Sequence, residues 1–320
     1  MTDEAEPTLN ELAWDLVQQA LFAADEFRIT LVDEVDGATV LDFGVEAMGS
    51  LGAGLALAEI CTAGLAEISV THGEVAGVAW PHLLVNSDSP VEACLLSQYA
   101  GWQISTDDFF GMGSGPMRAA AAREELFDAF DYKEDAGHVV GVLEAAQFPT
   151  VAAVREIAEK CGVETRNLAL LVAPTASIAG NAQVVARCVE TALHKLYELD
   201  YDVTRIESAV GWAPLAPVAA RDLDGIGRTN DAILYGGRVT LMVSGDDDSI
   251  TSVGPRVPSS GSDAHGRPFL EIFEDAGRDF YKIDPHLFSP AEIIFQNIET
   301  GRVHHYGRIE PEVLKQSFGL

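Results

Sequence analysis

Apolar positions near the start of the chain recur at helical spacing. Leu12, Trp14, Leu16, Val17 and Leu21 favour one side of a segment from Thr8 to Ala24, which predicts a helix there. Two short β-branched runs come next, Ile29 to Val35 and Thr39 to Phe43, and the Asp36-Gly37 pair between them predicts a hairpin. An Ala/Leu-rich segment from Gly52 to Leu65 precedes strand candidates at Glu67 to Thr71 and Val75 to Val85. From Pro90 the pattern turns helical through the SQYAGW segment, Ser97 to Trp102. A glycine-rich loop and a helix from Pro116 to about Phe130 succeed it. A strand at Val139 to Leu143, a helix from Val151 to Cys161, a strand at Leu168 to Val172 and a long helix after Ser177 complete a βαβα run. Such a run implies a partly parallel sheet covered by helices. Leu215 to Gly237 reads as looser chain, and Glu292 to Ile298 and Arg302 to Tyr306 predict a second hairpin around Glu299-Thr300-Gly301.

The fold class predicted from this pattern is α/β, a two-domain subunit with mixed sheets flanked by helices and a cleft between the domains. Its 320 residues exceed one comfortable core. Residues 1–88 plus 250–320 are expected to form the first domain and 89–249 the second, which carries the helix of Arg187 and Glu190.

Charge changes this picture in one respect. Twenty basic against 50 acidic residues leave a net charge of −30, and only five of the basic residues are lysines. The acids are scattered over Asp3 to Glu6, Asp131 to Asp135, Asp246 to Asp248 and Asp275 to Asp279, which predicts a uniformly acidic surface. Such a field excludes nucleic acid and anionic membranes as partners, because both are bound mainly by basic side chains. It points to the cytosol of a halophile, where at molar salt the screening length falls to about 3 Å. No uninterrupted apolar stretch reaches the roughly 18 residues of a membrane span, and the first residues lack the basic region of a signal peptide. A cytoplasmic location is therefore expected. Cys61, Cys94, Cys161 and Cys188 are widely spaced and read as buried thiols, and the eight histidines show no metal-ligand spacing, so no metal is expected.

Three segments could carry chemistry. In the first, Pro174 and Thr175 turn the chain after a strand, Thr175 or Ser177 caps the start of a helix, and Asn181 to Leu199 reads as helical. Helical spacing puts Gln183, Arg187, Glu190 and His194 in one polar row on an otherwise apolar helix. Taken alone, Arg187 and Glu190 read as an ordinary i,i+3 surface pair. The carboxyl end of a strand is also where α/β sites tend to lie, so the row could face a cleft. In the second segment Gly111, Gly113 and Gly115 alternate before Pro116, either a backbone cradle for a negative or carbonyl group or simply a structural turn. It matches neither the P-loop nor G-x-G-x-x-G. In the third, a Gly236-Gly237 turn is expected to link two short elements and present Thr229, Asn230 and Asp231. The Asn and Asp there could hydrogen-bond an amide edge or cap a turn.

Six blocks in order resemble the methenyltetrahydromethanopterin cyclohydrolases of archaea. They are LDFGVEAMGSLGAGLALAEICTAGLA, SQYAGW, GMGSGPMRA, TASIAGNAQVVARCVETALHKL, GRTNDAILYGGRV and FYKIDPHLFSPAEI, spanning Leu41 to Ile293. The departures are mainly surplus acids and scarce lysines. The resemblance implies a soluble homotrimer of two-domain α/β subunits that binds a one-carbon pterin between domains. The substrate would be a tetrahydromethanopterin derivative, with no permanently bound cofactor. The reaction implied is reversible hydrolysis of the 5,10-methenyl bridge to the 5-formyl compound. The catalytic arginine and glutamate of the family's R-x-x-E motif fall on Arg187 and Glu190. Ser97, Gln98, Gly113, Ser114, Gly115, Thr175, Ser177, Asn230 and Asp231 are the expected contacts to the pterin and its tail.

The methenyl bridge is already an amidinium cation, so attack by water neutralises charge, and the step needs mainly a placed water and a proton acceptor. Glu190 is expected to take the proton and return it to N10, with Arg187 orienting it. An adjacent cation lowers a carboxylate pKa by about 1 to 3 units, which would weaken that base. Two alternatives remain open from the sequence: the same chemistry on a folate, and a protein that sequesters a reduced pterin without catalysis. The glycine spacing disfavours a nicotinamide dehydrogenase.

Overall fold

The computed structural model describes residues 7–320, the side chains at 33 and 34 excepted, so the acidic run Asp3 to Glu6 lies outside the described residues. The chain is a mixed α/β protein whose strands form two six-stranded sheets flanked by helices. The first sheet has the order β1 (Thr30–Val35), β2 (Ala38–Asp42), β8 (Leu168–Ala173), β7 (Val139–Glu144), β6 (Phe109–Ser114) and β5 (Trp102–Thr106). The second runs β12 (Val303–Gly307), β11 (Glu292–Asn297), β10 (Arg238–Val243), β9 (Ile206–Pro214), β4 (Val78–Ser87) and β3 (Glu67–Val75). The sheets cut across the boundaries expected at 88 and 250. β1 and β2 join β5 to β8, while β9 and β10 join β3, β4, β11 and β12.

In the first sheet β8 pairs in parallel with both β2 and β7, and the other pairs are antiparallel. The parallel strands are buried on both faces, which is why VVGVLE and LALLVA are near-continuous apolar runs rather than alternating ones. The crossover between β7 and β8 is the Val151–Cys161 helix, capped by the Thr150 hydroxyl and closed by Gly162 at φ 73°. On the opposite face lies the Leu9–Phe22 helix, begun by a Thr8–Glu11 capping box. It buries Leu9, Ala13, Val17 and Ala20, so its smaller side chains point inward and Leu12, Trp14 and Leu16 only flank the core.

The second sheet is covered on one face, where Val239, Leu241 and Val243 are buried. Its other face, carrying Leu84, Val210, Trp212 and Met242, is half-buried along most of the central strands. Helices from between the sheets fill the space joining them, and one apolar core includes Leu171 of the first sheet and Leu241 of the second. Among the described residues no helix is long and apolar enough to cross a membrane.

Five elements differ from expectation. The helix expected through Ser97 to Trp102 ends at Gln98, and Trp102 already begins β5. The Gly111–Gly115 stretch is not a loop: Gly111 and Gly113 sit inside β6, paired to Ile104 and Trp102. The Pro116 helix ends at Ala121, because Ala122 is left-handed at φ 43°, and a second short helix spans Glu125–Phe130. Leu215 to Gly237 is less loose than expected, since Asp222–Gly236 is one continuous helix through Thr229, Asn230 and Asp231. The helix after Ser177 is two helices, Ile178–Val185 and Cys188–Glu198, interrupted at Ala186 and Arg187.

Candidate active site

The site grows from the carboxyl end of β8. Ser177, in extended backbone at φ −71° and ψ 163°, accepts from the Gly180 amide at 3.0 Å and starts the Ile178–Val185 helix, while its hydroxyl donates to the Pro174 carbonyl at 2.8 Å. That turn needs glycine at 180, where a Cβ would lie 2.0 Å from the Pro174 oxygen. Two turns later the helical ladder lapses, and Arg187 at φ −81° and ψ 7° becomes the first flanking residue of the Cys188–Glu198 helix.

This interruption changes where the arginine points. Its Nη2 donates to the Ser114 hydroxyl of β6 at 2.9 Å and lies 2.8 Å from Glu144 Oε1 at the end of β7. The N–H is aligned on the serine, so the carboxylate contact is a charge pair without hydrogen-bond alignment. The expected i,i+3 pair of Arg187 with Glu190 does not form. Glu190 is buried in the first turn of its helix and has no ion-pair partner among the described residues.

Ser114 is the centre of a bonded cluster. It lies 3.4 Å from the Cys61 thiol, which accepts from Gln183 Nε2 at 3.5 Å. Ser97 donates to the Cys61 carbonyl at 2.7 Å, and its own carbonyl accepts from the Gly115 amide at 2.9 Å. Gln98 donates to the Ala186 carbonyl at 3.4 Å, at the helix interruption itself. Ser97, Gln98, Ser114, Gly115 and Arg187 are thus brought together. Buried Arg118 braces them from behind, donating to the carbonyls of Leu95 at 2.9 Å and Ser97 at 3.2 Å and pairing with Glu124 at 2.6 Å. Its guanidinium lies 4.8 Å from the centre of the Tyr99 ring, which stacks on His194 at 4.3 Å.

Several buried polar atoms here have no hydrogen-bond partner among the described residues, including Oε1 of Gln98, Oε1 of Gln183 and Nε of Arg187. A buried unsatisfied group costs about 1 to 3 kcal/mol. Three of them around one bonded cluster mark a place built to meet something else.

Electrostatics sharpen the assignment. Burial pushes the Glu190 carboxyl up to about 7, against the pull of Arg187 and Arg118 and with the repulsion of Glu144 behind it. Burial works against the charge on Arg187, but the attraction of Glu144 first, with Glu190 behind it, outweighs it and holds the guanidinium above its ordinary value. His194 is pushed down to about 4 by burial and by Arg118 and Lys195, so it is neutral.

The other expected contacts have structural roles. A Cβ at Gly113 would meet Met117 and Ile104 at 2.5 and 2.9 Å, so its bare Cα makes room for the core. Gly115 turns the chain at φ 85°. Thr175 is buried in the turn after β8. Asn230 donates to Ile226 O within its own helix at 2.9 Å, and Asp231 accepts the Phe269 amide at 2.8 Å, fixing the start of the Phe269–Asp275 helix. Neither is bonded to the Arg187 cluster.

Glu144 was not singled out by sequence. Its signal was there: one charged residue closing an otherwise apolar buried strand, at the carboxyl end where α/β sites lie.

Two sheets with a buried arginine at a helix interruption, one carboxylate at the end of β7 and another in the following helix, and unmet amide groups on the adjoining helices define an α/β enzyme of the acid–base kind. The chain belongs to the cyclohydrolase family described as "Cyclohydrolase (MCH)", whose model matches residues 8–318. It is 45% identical to a methenyltetrahydromethanopterin cyclohydrolase of Rhodopirellula baltica, over 98% of this chain and 96% of that one. Proteins of the same name from Methylobacterium nodulans and Methanosphaerula palustris are 43% and 41% identical, each over 98% of this chain and 98% and 99% of theirs. Relatives thus include bacteria as well as methane-forming archaea, so the expected archaeal, halophilic source does not follow from similarity.

Proposed function

We propose that this protein reversibly hydrolyses 5,10-methenyltetrahydromethanopterin to the 5-formyl compound, with Glu190 and Arg187 as its catalytic residues. The observation that carries this is Glu190 itself, a buried carboxyl without an ion-pair partner among the described residues, raised to about 7 beside an arginine that keeps its charge. A base poised near the working pH is what the reaction needs. Water attacks the methenyl carbon, the C=N electron pair moves to nitrogen and Glu190 takes a proton, giving a neutral carbinol. Glu190 then returns that proton to N10 as the C–N10 bond breaks, and the hydroxyl proton leaves to solvent as the formyl C=O forms. Arg187, with Nε uncommitted, holds the attacking water or the developing formyl oxygen.

The same reading includes a homotrimer in the cytosol, and the half-buried face carrying Leu84, Val210, Trp212 and Met242 is a surface suited to the subunit contact. The net charge of −30 supports a high-salt interior. The test is loss of methenyl absorbance at high salt for wild type, Arg187→Ala and Glu190→Gln, on the methanopterin and the folate substrates. Turnover restricted to folate would replace the carrier, absence of turnover on both would favour a pterin-binding protein, and variants as fast as wild type would refute the residue roles.

A further inference from the structure

A carboxylate base beside an arginine raises a difficulty: a direct pair would depress its pKa and spoil it as a base. The geometry resolves this by giving the arginine a different partner. Nη2 of Arg187 lies 2.8 Å from Glu144 and 2.9 Å from Ser114, on two strands whose register pairs Met112 with Glu144 and Ser114 with Val142. The anchor is therefore the end of a hydrogen-bonded ladder, stiffer than a loop. Arg118, the other buried guanidinium, is held by Glu124 and two carbonyls.

We infer that Glu144 is a positioning residue for the hydrolysis: it ties Arg187 to the β6–β7 edge and takes up its charge, which leaves Glu190 unpaired and free to accept the proton of water. This rests on the proposed reaction and adds a third group to it. Glu144 acts through Arg187 and need not touch the substrate.

The charged and titratable groups felt at Glu190 are Arg187, Arg118 and Glu144, with Tyr99 and the thiols of Cys94 and Cys188 nearby. Burial raises Tyr99, Cys94 and Cys188, so these three are neutral near pH 7 along with His194. Around Arg187 the anions are Glu144 and Glu190, with the raised, neutral thiol of Cys61 between them and Ser114. The balance at Glu190 is thus two arginines against one carboxylate. Removing Glu144 leaves the arginines unopposed and frees the Arg187 side chain to swing onto Glu190.

The experiment is the pH dependence of kcat for wild type, Glu144→Gln and Glu144→Asp, from about pH 5 to about pH 9. Wild type should lose rate as Glu190 is protonated. In Glu144→Gln that acid limb should move down by about one pH unit or more, with a plateau at least about tenfold lower, because a weaker base remains. Glu144→Asp keeps the charge and should return the limb to the wild-type position. An infrared titration of the Glu190 carboxylate, taken as the difference between each protein and its Glu190→Gln counterpart, reads the same shift without substrate. Should Glu144→Gln not fold, Glu144→Ala carries the same prediction. An acid limb and carboxylate titration unmoved by loss of Glu144 would overturn the inference. A wild type inactive on every methenyl pterin, with the infrared shift present, would instead overturn the proposed reaction and leave only the hold of Glu144 on Arg187, and through it on Glu190, standing.

Discussion

Glu190→Gln should make the protein both slower and more stable, and the gain should depend on pH. The carboxyl rises from 4.5 to about 7 on folding, mainly by burial. An acid whose folded pKa is raised destabilises the native state wherever the unfolded chain is ionised, because the folded chain must either keep a proton the unfolded one has released or ionise a buried group. Above about pH 7 the full penalty applies; it is relieved as pH falls from about 7 towards 4.5, and it vanishes below the lower value. At about 1.4 kcal/mol per pH unit the ceiling is about 3 kcal/mol. Gln carries no charge to desolvate, so the variant should exceed wild type by about 1 to 3 kcal/mol near pH 8 and match it near pH 4. Its kcat should fall by about 10²- to 10⁴-fold, the usual share of a general base. Denaturant unfolding of both proteins in molar salt across that range, with m-values checked for equality, measures the difference. A stability difference that is flat with pH, or a variant less stable than wild type near pH 8, would refute the claim that Glu190 is held in an unfavourable charged state.

Ser114→Ala removes the hydroxyl that accepts from Arg187 at 2.9 Å. A hydrogen bond to a charged group is worth about 1.5 to 3 kcal/mol, so kcat/KM should fall about 10- to 100-fold in steady-state assays. Asp231→Ala leaves the Phe269 amide without its acceptor. It should cost about 1 to 3 kcal/mol in unfolding experiments near pH 4, where the Asp231 carboxyl, pushed up to about 7 by burial, carries no charge in the folded chain, while leaving KM for the pterin unchanged, which distinguishes a structural carboxylate from a binding one. Gly180→Ala puts a methyl 2.0 Å from the Pro174 oxygen. The turn must open, and a drop in thermal midpoint together with lost activity is expected, since the displaced helix carries Gln183 and leads to Arg187.

Regular elements were legible where one residue pattern had one physical meaning. The helix at Val151–Cys161 matched its expected bounds, and β1 with β2 formed around Asp36-Gly37 as expected. What failed were glycines and interruptions. Gly111 and Gly113 read as a loop because glycine is permissive, but they lie in β6 because Phe109, Met117 and Ile104 fill the space above them. The interruption at Ala186 and Arg187 has no marker in VVARCVET, where neither Gly nor Pro announces it. Helical arithmetic therefore put Arg187 beside Glu190, and packing of one half on the Leu51–Cys61 helix and of the other on β9 turned it towards Glu144. Arg187 and Glu190 themselves were singled out because family motifs supplied what spacing could not. Asn230 and Asp231 looked exposed in a turn, and the continuity of the Asp222–Gly236 helix buried the second of them.

The helix interruption has a mechanical meaning as well. Its first half rests on the Leu51–Cys61 helix, where Gly54 lets Ala182 approach, and its second half rests on β9, where Gly211 accommodates Cys188 and Val189. Arg187 stands at the joint between these two bearings. The reach of its guanidinium and the separation of the two halves of the molecule are consequently one variable. A methyl group added at Gly54 would meet Ala182 and no polar atom of the centre, yet it would tilt one arm of the joint and detune the reaction from a distance.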